Sequence, residues 1–405
     1  MTPTPTPTPN LPPTPNLPPT PTPTPTEVRS PYASPTVSGH AYPWDIVGDP
    51  GFADRVREAG LDSVTLAVSY HSTRAATPLH PRHRFVDARH SALYRPVRAG
   101  AWAGRRLVPS GAAWVEGRDP AAAAALALAD AGIPVSAWLV LAHNSLLGTR
   151  YPDLAVTNCF GEPYPYALCP AQEEVREYCA TLAAEALHDL PPDAVRGVSL
   201  ESAGQLGAVH AGCHEKTDGA YTAAELRALS VCCCAACRAA WQAAGLDPDR
   251  VTGRLRGGQD LPAELGEVLL RVRHEAADAL RGRVLDAVRT TLPGAEVTLH
   301  AHPDPWATGP SPGLTERAAT DTDALLVPCW PTGPESAELV WQAVASGLPV
   351  NAYVTALPPA DPAALPAHVR RLRAAGATRL SLYHLGLLPR ERLPLLAALA
   401  KEFRA

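Results

Sequence analysis

The run Gly197-Val198-Ser199-Leu200-Glu201 is a short apolar segment that ends on a carboxylate. A long segment then leads to Cys232-Cys233-Cys234-Ala235-Ala236-Cys237, a cluster with the spacing C-x-C-x-x-C, and to the Ala-rich residues up to Trp241. Continuous apolar runs are typical of strands that are buried on both faces of a parallel sheet. The stretch therefore predicts a buried strand with a carboxylate at its end, a long loop, and a helix that begins at clustered thiols.

Eight strand-like runs occur in the chain, and each is followed by a helical segment or a long loop. The runs are 63–71, 92–96, 134–141, 197–200, 296–302, 324–328, 350–354 and 379–384. A (β/α)₈ barrel (TIM barrel) of the α/β class accounts for their number and order. A doubly wound open sheet is the alternative. No G-x-G-x-x-G or G-x-x-x-x-G-K-[ST] motif follows a strand, which excludes the usual nucleotide-binding form of that sheet.

The first part of the chain has a different composition. Residues 2 to about 26 alternate Thr and Pro, and Asn10-Leu11-Pro12-Pro13-Thr14-Pro15 is repeated at 16–21. Because each proline fixes φ and removes a hydrogen-bond donor, such a segment favours an extended polyproline-II-like form without a core. We therefore expect residues 1–43 to be a disordered Thr/Pro-rich tail and residues 44–405 to form the barrel.

Composition limits the partners and the compartment. The chain has 405 residues, a net charge of −5 and nine cysteines. This balance gives no reason to expect nucleic acid or an anionic membrane as a partner, and no apolar run reaches the ~18 residues that span a bilayer. The N-terminus has no basic segment followed by an apolar one, so we expect no secretory signal and a cytoplasmic location. A small-molecule or oligosaccharide substrate is expected, and the sequence is compatible with a homo-oligomer.

Polar and aromatic residues recur at the ends of the predicted strands. In a (β/α)₈ barrel the chemistry lies at the C-terminal ends of the strands, so these residues should line one cleft. The predicted substrate-binding residues are Tyr70, His71, Trp138, His143, Asn144, His300, His302, Trp330, Tyr353, Tyr383 and His384. Any one of them alone could be a core or rim residue, but their recurrence indicates a polar, aromatic-lined cleft. Such a cleft suits a carbohydrate or another polyhydroxylated ligand.

Glu201 is the predicted general acid/base. A carboxyl group at the end of an apolar strand should be partly desolvated, which raises its pKa and suits it to donate a proton near neutral pH. The alternative interpretation is a salt-bridged carboxylate at the rim of the barrel. Asp304 and Glu335, which follow two later strands, are the candidates for a second catalytic carboxylate.

The cysteine cluster predicts a metal site. Three thiolates at this spacing can bind a tetrahedral Zn²⁺ when a fourth ligand comes from elsewhere in the chain. The three are Cys232, Cys234 and Cys237, with Cys233 facing away, and the candidates for the fourth ligand are Cys159, Cys169, Cys213 and His214. Ligation by four such groups leaves no open position for water, so the site would be structural and would hold a zinc-binding loop at about 202–260. The alternative is a set of reduced thiols.

The stretch from Cys169 to Trp241 resembles the corresponding part of the family 42 glycoside hydrolases, which are β-galactosidases. The resemblance is carried by Leu200-Glu201-Ser202-Ala203-Gly204, by the C-x-C-x-x-C cluster followed by Arg238-Ala239-Ala240-Trp241, and by Cys169-Pro170 ahead of a helix with Arg176. It implies that Glu201 is the acid/base and that Cys169 is the fourth ligand of a structural zinc ion.

Two departures from that family concern the chemistry. Leu200 stands where the family has an asparagine before the acid/base, and Tyr353-Val354-Thr355-Ala356-Leu357 has no carboxylate where the family has its nucleophile. A retaining mechanism needs two carboxyl groups about 5–5.5 Å apart. We therefore expect a glycoside hydrolase with altered chemistry, or else a catalytically inactive carbohydrate-binding barrel. A metal-dependent hydrolase or isomerase that uses His300, His302 and Asp304 is a further alternative.

Overall fold

A computed structural model describes residues 35–190, 193–210, 216–217 and 219–405. The Thr/Pro-rich residues up to 34 lie outside these ranges, and so do two of the proposed fourth ligands, Cys213 and His214.

Eight parallel strands of the described chain form a closed barrel. They are β1 (Thr36–Ala41), β2 (Ser63–Tyr70), β3 (Val135–Val140), β4 (Val195–Glu201), β5 (Glu296–His300), β6 (Ala324–Pro328), β7 (Val350–Thr355) and β8 (Arg379–Tyr383). The barrel closes because β1 pairs with β8 on one side and with β2 on the other. The predicted (β/α)₈ fold is confirmed.

Each strand is followed by a helix on the outside of the barrel. These helices are α1 (Phe52–Glu58), α2 (Pro120–Asp130), α3 (Glu173–Leu187), α4 (Ala263–Thr291), α5 (Ala318–Asp321), α6 (Pro334–Val344), α7 (Leu365–Ala374) and α8 (Leu393–Arg404). Their starts follow local chemistry. In α2, Pro120 occupies the first turn and the Asp119 side chain accepts a hydrogen bond from Ala122 N at 3.2 Å, which satisfies one free N–H of the helix end.

Two strand predictions need correction. The first barrel strand is Thr36–Ala41, which the sequence assigned to the tail. Segment 92–96 is not a barrel strand, because only Ala92–Leu93 is extended and it pairs antiparallel with the end of β2. The sequence of the first strand, Thr36–Ala41, does not predict a buried strand because it contains few apolar residues. It is buried by barrel closure, and at Gly39 a Cβ would lie 2.7 Å from the Leu385 side chain.

The connection between β4 and α4 is the long loop that the sequence predicted. It contains the short helices Ala223–Leu229, Ala235–Ala243 and Pro248–Arg256. Further short helices lie at Pro43–Ile46 and Ser145–Arg150, and two-stranded hairpins at Thr73–Ala76 with Phe85–Ala88 and at Ala155–Thr157 with Pro163–Leu168. Among the described helices, none is both long and apolar enough to cross a membrane.

Candidate functional site

Glu201 is the last residue of β4, at the C-terminal end of the barrel, and only 4% of it is exposed. The indole Nε1 of Trp138, on the neighbouring strand β3, donates a hydrogen bond of 2.8 Å to Glu201 Oε2. Burial raises the pKa of Glu201 to about 8, although the Trp138 hydrogen bond opposes this shift. With a pKa of about 8, the carboxyl group is mostly protonated at pH 7.

The backbone turns sharply directly after this carboxyl group. Ser202 has φ of 57°, in the left-handed region that residues other than glycine rarely occupy. Its N–H donates to Pro310 O at 2.9 Å. Glu201 itself stays in register with Val140 of β3.

His300, at the end of β5, lies beside Glu201 without forming an ion pair with it. Its Nδ1 is 3.7 Å from Glu201 Oε2, and its Nε2 shares a 2.9 Å hydrogen bond with Ser199 Oγ. Burial lowers the pKa of His300 to about 3. Since Glu201 is protonated and His300 is neutral at pH 7, the two groups are neighbours that carry no net charge.

Three tyrosines surround the same carboxyl group. Burial raises the pKa of Tyr70, of Tyr353 and of Tyr383, and the charge of Glu201 contributes to each shift. These phenols are therefore neutral hydrogen-bond donors around Glu201. Trp330, which follows β6, lies 5.2 Å from Tyr383 between ring centroids and is 43% exposed. It offers an open aromatic face next to the tyrosines.

The two candidates for a second carboxylate lie at exposed positions. Asp304 is in a turn after β5, where its Oδ1 accepts a hydrogen bond from Trp306 N at 2.9 Å. Glu335 is in the first turn of α6. Burial accounts for the raised pKa of Glu201, and no carboxylate among the described residues contributes to the shift.

Asp45 is a buried carboxyl group that the sequence analysis missed. It follows β1, and its Oδ2 accepts a hydrogen bond from Tyr42 N at 2.8 Å and lies 3.8 Å from His384 Nδ1. Burial raises the pKa of Asp45 to about 8, and Asp45 and Glu201 both raise the pKa of the half-buried Tyr383. Asp45 went unnoticed because β1 was assigned to the tail, so that no strand end preceded this carboxylate.

Other predicted cleft residues lie on the rim between β2 and β4. His71 stacks on His143 with 4.5 Å between centroids, and His143 Nε2 is 3.0 Å from Nε2 of His210, in the β4–α4 loop. His210 in turn stacks on Tyr166 at 4.1 Å. Asn144 has a structural role, because its Oδ1 caps helix Ser145–Arg150 through Leu147 N at 3.0 Å.

The described chain contains one cluster of metal-ligand side chains. The sulfurs of Cys169, Cys232, Cys234 and Cys237 all lie within 4.8 Å of one another, and all four residues are buried. Cys169 Sγ is 3.6 Å from Cys237 Sγ and 3.7 Å from Cys234 Sγ. Four thiolates around a tetrahedral ion with metal–sulfur bonds of ~2.3 Å would lie ~3.8 Å apart. The four residues therefore fit a metal ion.

Two of the four sulfurs accept hydrogen bonds from neighbouring N–H groups. Cys232 Sγ accepts hydrogen bonds from the N–H groups of Thr157 and Cys234, both at 3.5 Å, and Gln172 Nε2 donates to Cys234 Sγ at 3.6 Å. The pKa of Cys234 is lowered because the neighbouring cysteines donate hydrogen bonds to its thiolate. Of the described alternatives, Cys159 lies outside the cluster, and so does Cys233, as predicted.

The histidine-based metal site does not assemble among the described residues. His300 bonds Ser199, whereas His302 Nδ1 accepts a hydrogen bond from Asp304 N at 3.0 Å. Their ring nitrogens and the Asp304 carboxylate do not form a group that could hold one ion. The described residues therefore do not form the metal site that a metal-dependent hydrolase or isomerase would need.

Comparison with known proteins gives a likeness of fold. An α-L-fucosidase isoenzyme 2 from Paenibacillus thiaminolyticus shares 13% identity and a TM-score of 0.57, over 91% of this chain and 49% of its own. A β-galactosidase from Bacillus circulans sp. alkalophilus shares 14% identity with this chain, with a TM-score of 0.56. The match covers 92% of this chain and 56% of the β-galactosidase. The catalytic domain of a β-amylase from Paenibacillus polymyxa shares 13% identity, with a TM-score of 0.55. The match covers 91% of this chain and 97% of the β-amylase domain.

The chain spans about half the length of the first two of these enzymes. No protein-family model and no curated protein matches the sequence. A catalytic mutant of a family 42 β-galactosidase from G. stearothermophilus also shares the fold, with 12% identity and a TM-score of 0.52 over 92% of this chain and 56% of its own. The resemblance to family 42 β-galactosidases and to other glycoside hydrolases built on this barrel is confirmed as a resemblance of fold.

Proposed function

We propose that this protein is a glycoside hydrolase in which Glu201 is the general acid/base. The observation that carries the proposal is a carboxyl group at the end of β4 that is buried among aromatic side chains and holds its proton at pH 7. A protonated carboxyl group can give its proton to the leaving oxygen of a glycoside, and after losing it can activate water. The fold shared with glycoside hydrolases supports a carbohydrate as the substrate.

The neighbouring groups have complementary roles in this proposal. Tyr70 and Tyr383 are neutral phenols beside Glu201 and would donate hydrogen bonds to sugar hydroxyls. Trp330 would stack against the apolar face of a sugar ring, and Trp138 holds the carboxyl group in place. His300 stays neutral, so it positions Glu201 without stabilising its ionised form.

The four cysteines are proposed to hold a structural zinc ion. Such an ion would crosslink Cys169, which follows a hairpin after β3, to the head of helix Ala235–Ala243 in the β4–α4 loop. The same loop carries His210 to the rim of the barrel mouth. The metal site would therefore fix the wall of the cleft on this side. Thiolates of this kind persist in a reducing compartment, which supports a cytoplasmic location.

The test is turnover of a broad panel of nitrophenyl glycosides and natural oligosaccharides by the wild-type protein and by Glu201→Gln. Loss of the protonated carboxyl group should lower kcat at least 100-fold for any substrate that the wild type hydrolyses. A parallel Glu58→Gln variant, which changes an exposed carboxylate on α1, should keep full activity. Equal turnover by wild type and Glu201→Gln on every hydrolysed substrate would refute the proposal.

A carbohydrate-binding barrel without catalysis is the second candidate. It is favoured by one specific observation, that Tyr353 stands near the end of β7 and no carboxylate follows it there. Burial raises the pKa of Tyr353 well above its ordinary value, so the phenol is a poor nucleophile. Tight saccharide binding without turnover, unchanged in Glu201→Gln, would support this candidate over the hydrolase.

A further inference from the structure

A cavity of about 520 Å³ lies beside the barrel mouth, apart from Glu201. Its walls come from Trp44, after β1, and from two segments of the β2–α2 connection that include Phe85 and Trp114. The ring of Trp44 stacks on Tyr42 at 4.4 Å, and Tyr42 contacts Tyr70, one of the three tyrosines around Glu201, at 4.9 Å. This aromatic layer separates the cavity from the proposed active site. The volume is within the ~300–1,000 Å³ that small-molecule sites occupy.

Charged side chains at this cavity are paired. Arg82 Nη1 lies 3.2 Å from Glu116 Oε2, and Arg89 Nε lies 3.5 Å from Asp87 Oδ2. Desolvation lowers the pKa of His83, so this imidazole is neutral at pH 7. An anionic ligand would therefore meet a carboxylate beside each arginine. Exposed ion pairs of this kind contribute little stability, which lets their polar atoms turn to hydrogen-bond a neutral ligand.

Other polar atoms of the cavity wall are held in fixed positions. His80 Nε2 contacts Val47 O at 3.2 Å, and its Nδ1 accepts a hydrogen bond from Arg82 N at 3.2 Å. The Arg82 guanidinium also packs on Gly48, where a Cβ would lie 3.2 Å from Arg82 Cζ. Positive φ of 85° at Gly48 favours glycine there. The Arg82 guanidinium can therefore pack against the backbone at position 48 because Gly48 has no side chain.

We propose that this cavity is a second saccharide-binding site, which takes a short neutral saccharide. Phe85 is 62% exposed and Trp114 is half-buried, so the cavity offers aromatic surface next to planar guanidinium and carboxylate groups. A sugar ring matches this lining, because it has an apolar C–H face and hydroxyl groups at its edge. The ligand class rests on the proposed function, but binding in the cavity does not require Glu201.

The test uses the full-length Glu201→Gln protein, so that a saccharide is not consumed during titration. Neutral oligosaccharides are titrated while the indole N–H signals of the eight tryptophans are followed by NMR, with Trp114→Phe identifying one signal. The Trp114 signal should shift on saturation, and Phe85→Ala should weaken that binding event on the order of tenfold. Trp341→Ala, which removes a 65% exposed tryptophan from α6, is the matched control and should leave it unchanged.

The outcomes separate this inference from the proposed function. A Trp114 shift supports the second site even when wild type and Glu201→Gln show no difference in turnover. The inference is overturned when no neutral saccharide moves the Trp114 signal. It is equally overturned when only a uronic-acid saccharide or inorganic phosphate moves it, because the cavity would then be an anion site.

Discussion

Replacing Glu201 by Gln should change how the stability of the protein depends on pH. The carboxyl group has a pKa of about 8 in the folded protein, against an ordinary value of 4.5. Between these values the folded protein holds a proton that the unfolded chain has released. The stabilisation from this proton is complete below about pH 4.5 and is lost as the pH rises towards 8. Within the window the free energy of unfolding should fall by about 1.4 kcal/mol per pH unit because of this group.

Glutamine has nearly the same shape, can accept the Trp138 hydrogen bond and does not titrate. Raising the pH from 5 to 7 should therefore increase the stability of Glu201→Gln relative to wild type on the order of 3 kcal/mol. Denaturant unfolding of both proteins, measured at several pH values in the same zinc-containing buffer, gives this difference directly. Other titrating groups, including Asp45, are common to both proteins and cancel.

Glu58→Gln, at an exposed position on α1, is the control and should show no comparable dependence on pH. The reasoning about Glu201 is refuted when the stability difference between wild type and Glu201→Gln stays constant within about 0.5 kcal/mol from pH 5 to 7. In that case the carboxyl group is ionised in the folded protein, and its role as a proton donor at neutral pH fails with it.

Two further predictions concern the metal site and the barrel closure. Wild type should bind roughly one equivalent of zinc by elemental analysis. Cys234→Ser should lose most of this zinc and should have a lower Tm, because Cys234 belongs to the cluster. Cys233→Ser should keep the zinc content and the Tm of wild type, because Cys233 lies outside the cluster. Equal zinc content in the two variants would contradict the site. Gly39→Ala should cost about 1–3 kcal/mol in denaturant unfolding, because the new methyl group meets Leu385, while Gly100→Ala, with open space around it, should be nearly neutral. Equal stabilities of these two variants would show that the closure tolerates a side chain.

The sequence alone was sufficient where a pattern reports directly on a local property. Apolar runs such as 134–141 and 324–328 became barrel strands because a strand covered on both faces must be apolar along its whole length. Glu201 could be placed at a strand end for the same reason. The spacing of Cys232, Cys234 and Cys237 at the head of a helix already required their sulfurs to lie close together.

Tertiary structure decided what depends on residues distant in the chain. Thr36–Ala41 is a strand because closure of the barrel buries it, which its own mixed composition does not indicate. The resemblance to a known family implied Cys169 as the fourth sulfur, but only folding brings its side chain to the other three. The protonated state of Glu201 likewise depends on burial in the barrel, which raises its pKa despite the opposing hydrogen bond from Trp138 on the adjacent strand. Burial and long-range contact are properties of the assembled barrel, so a pattern along the chain can suggest them but cannot set them.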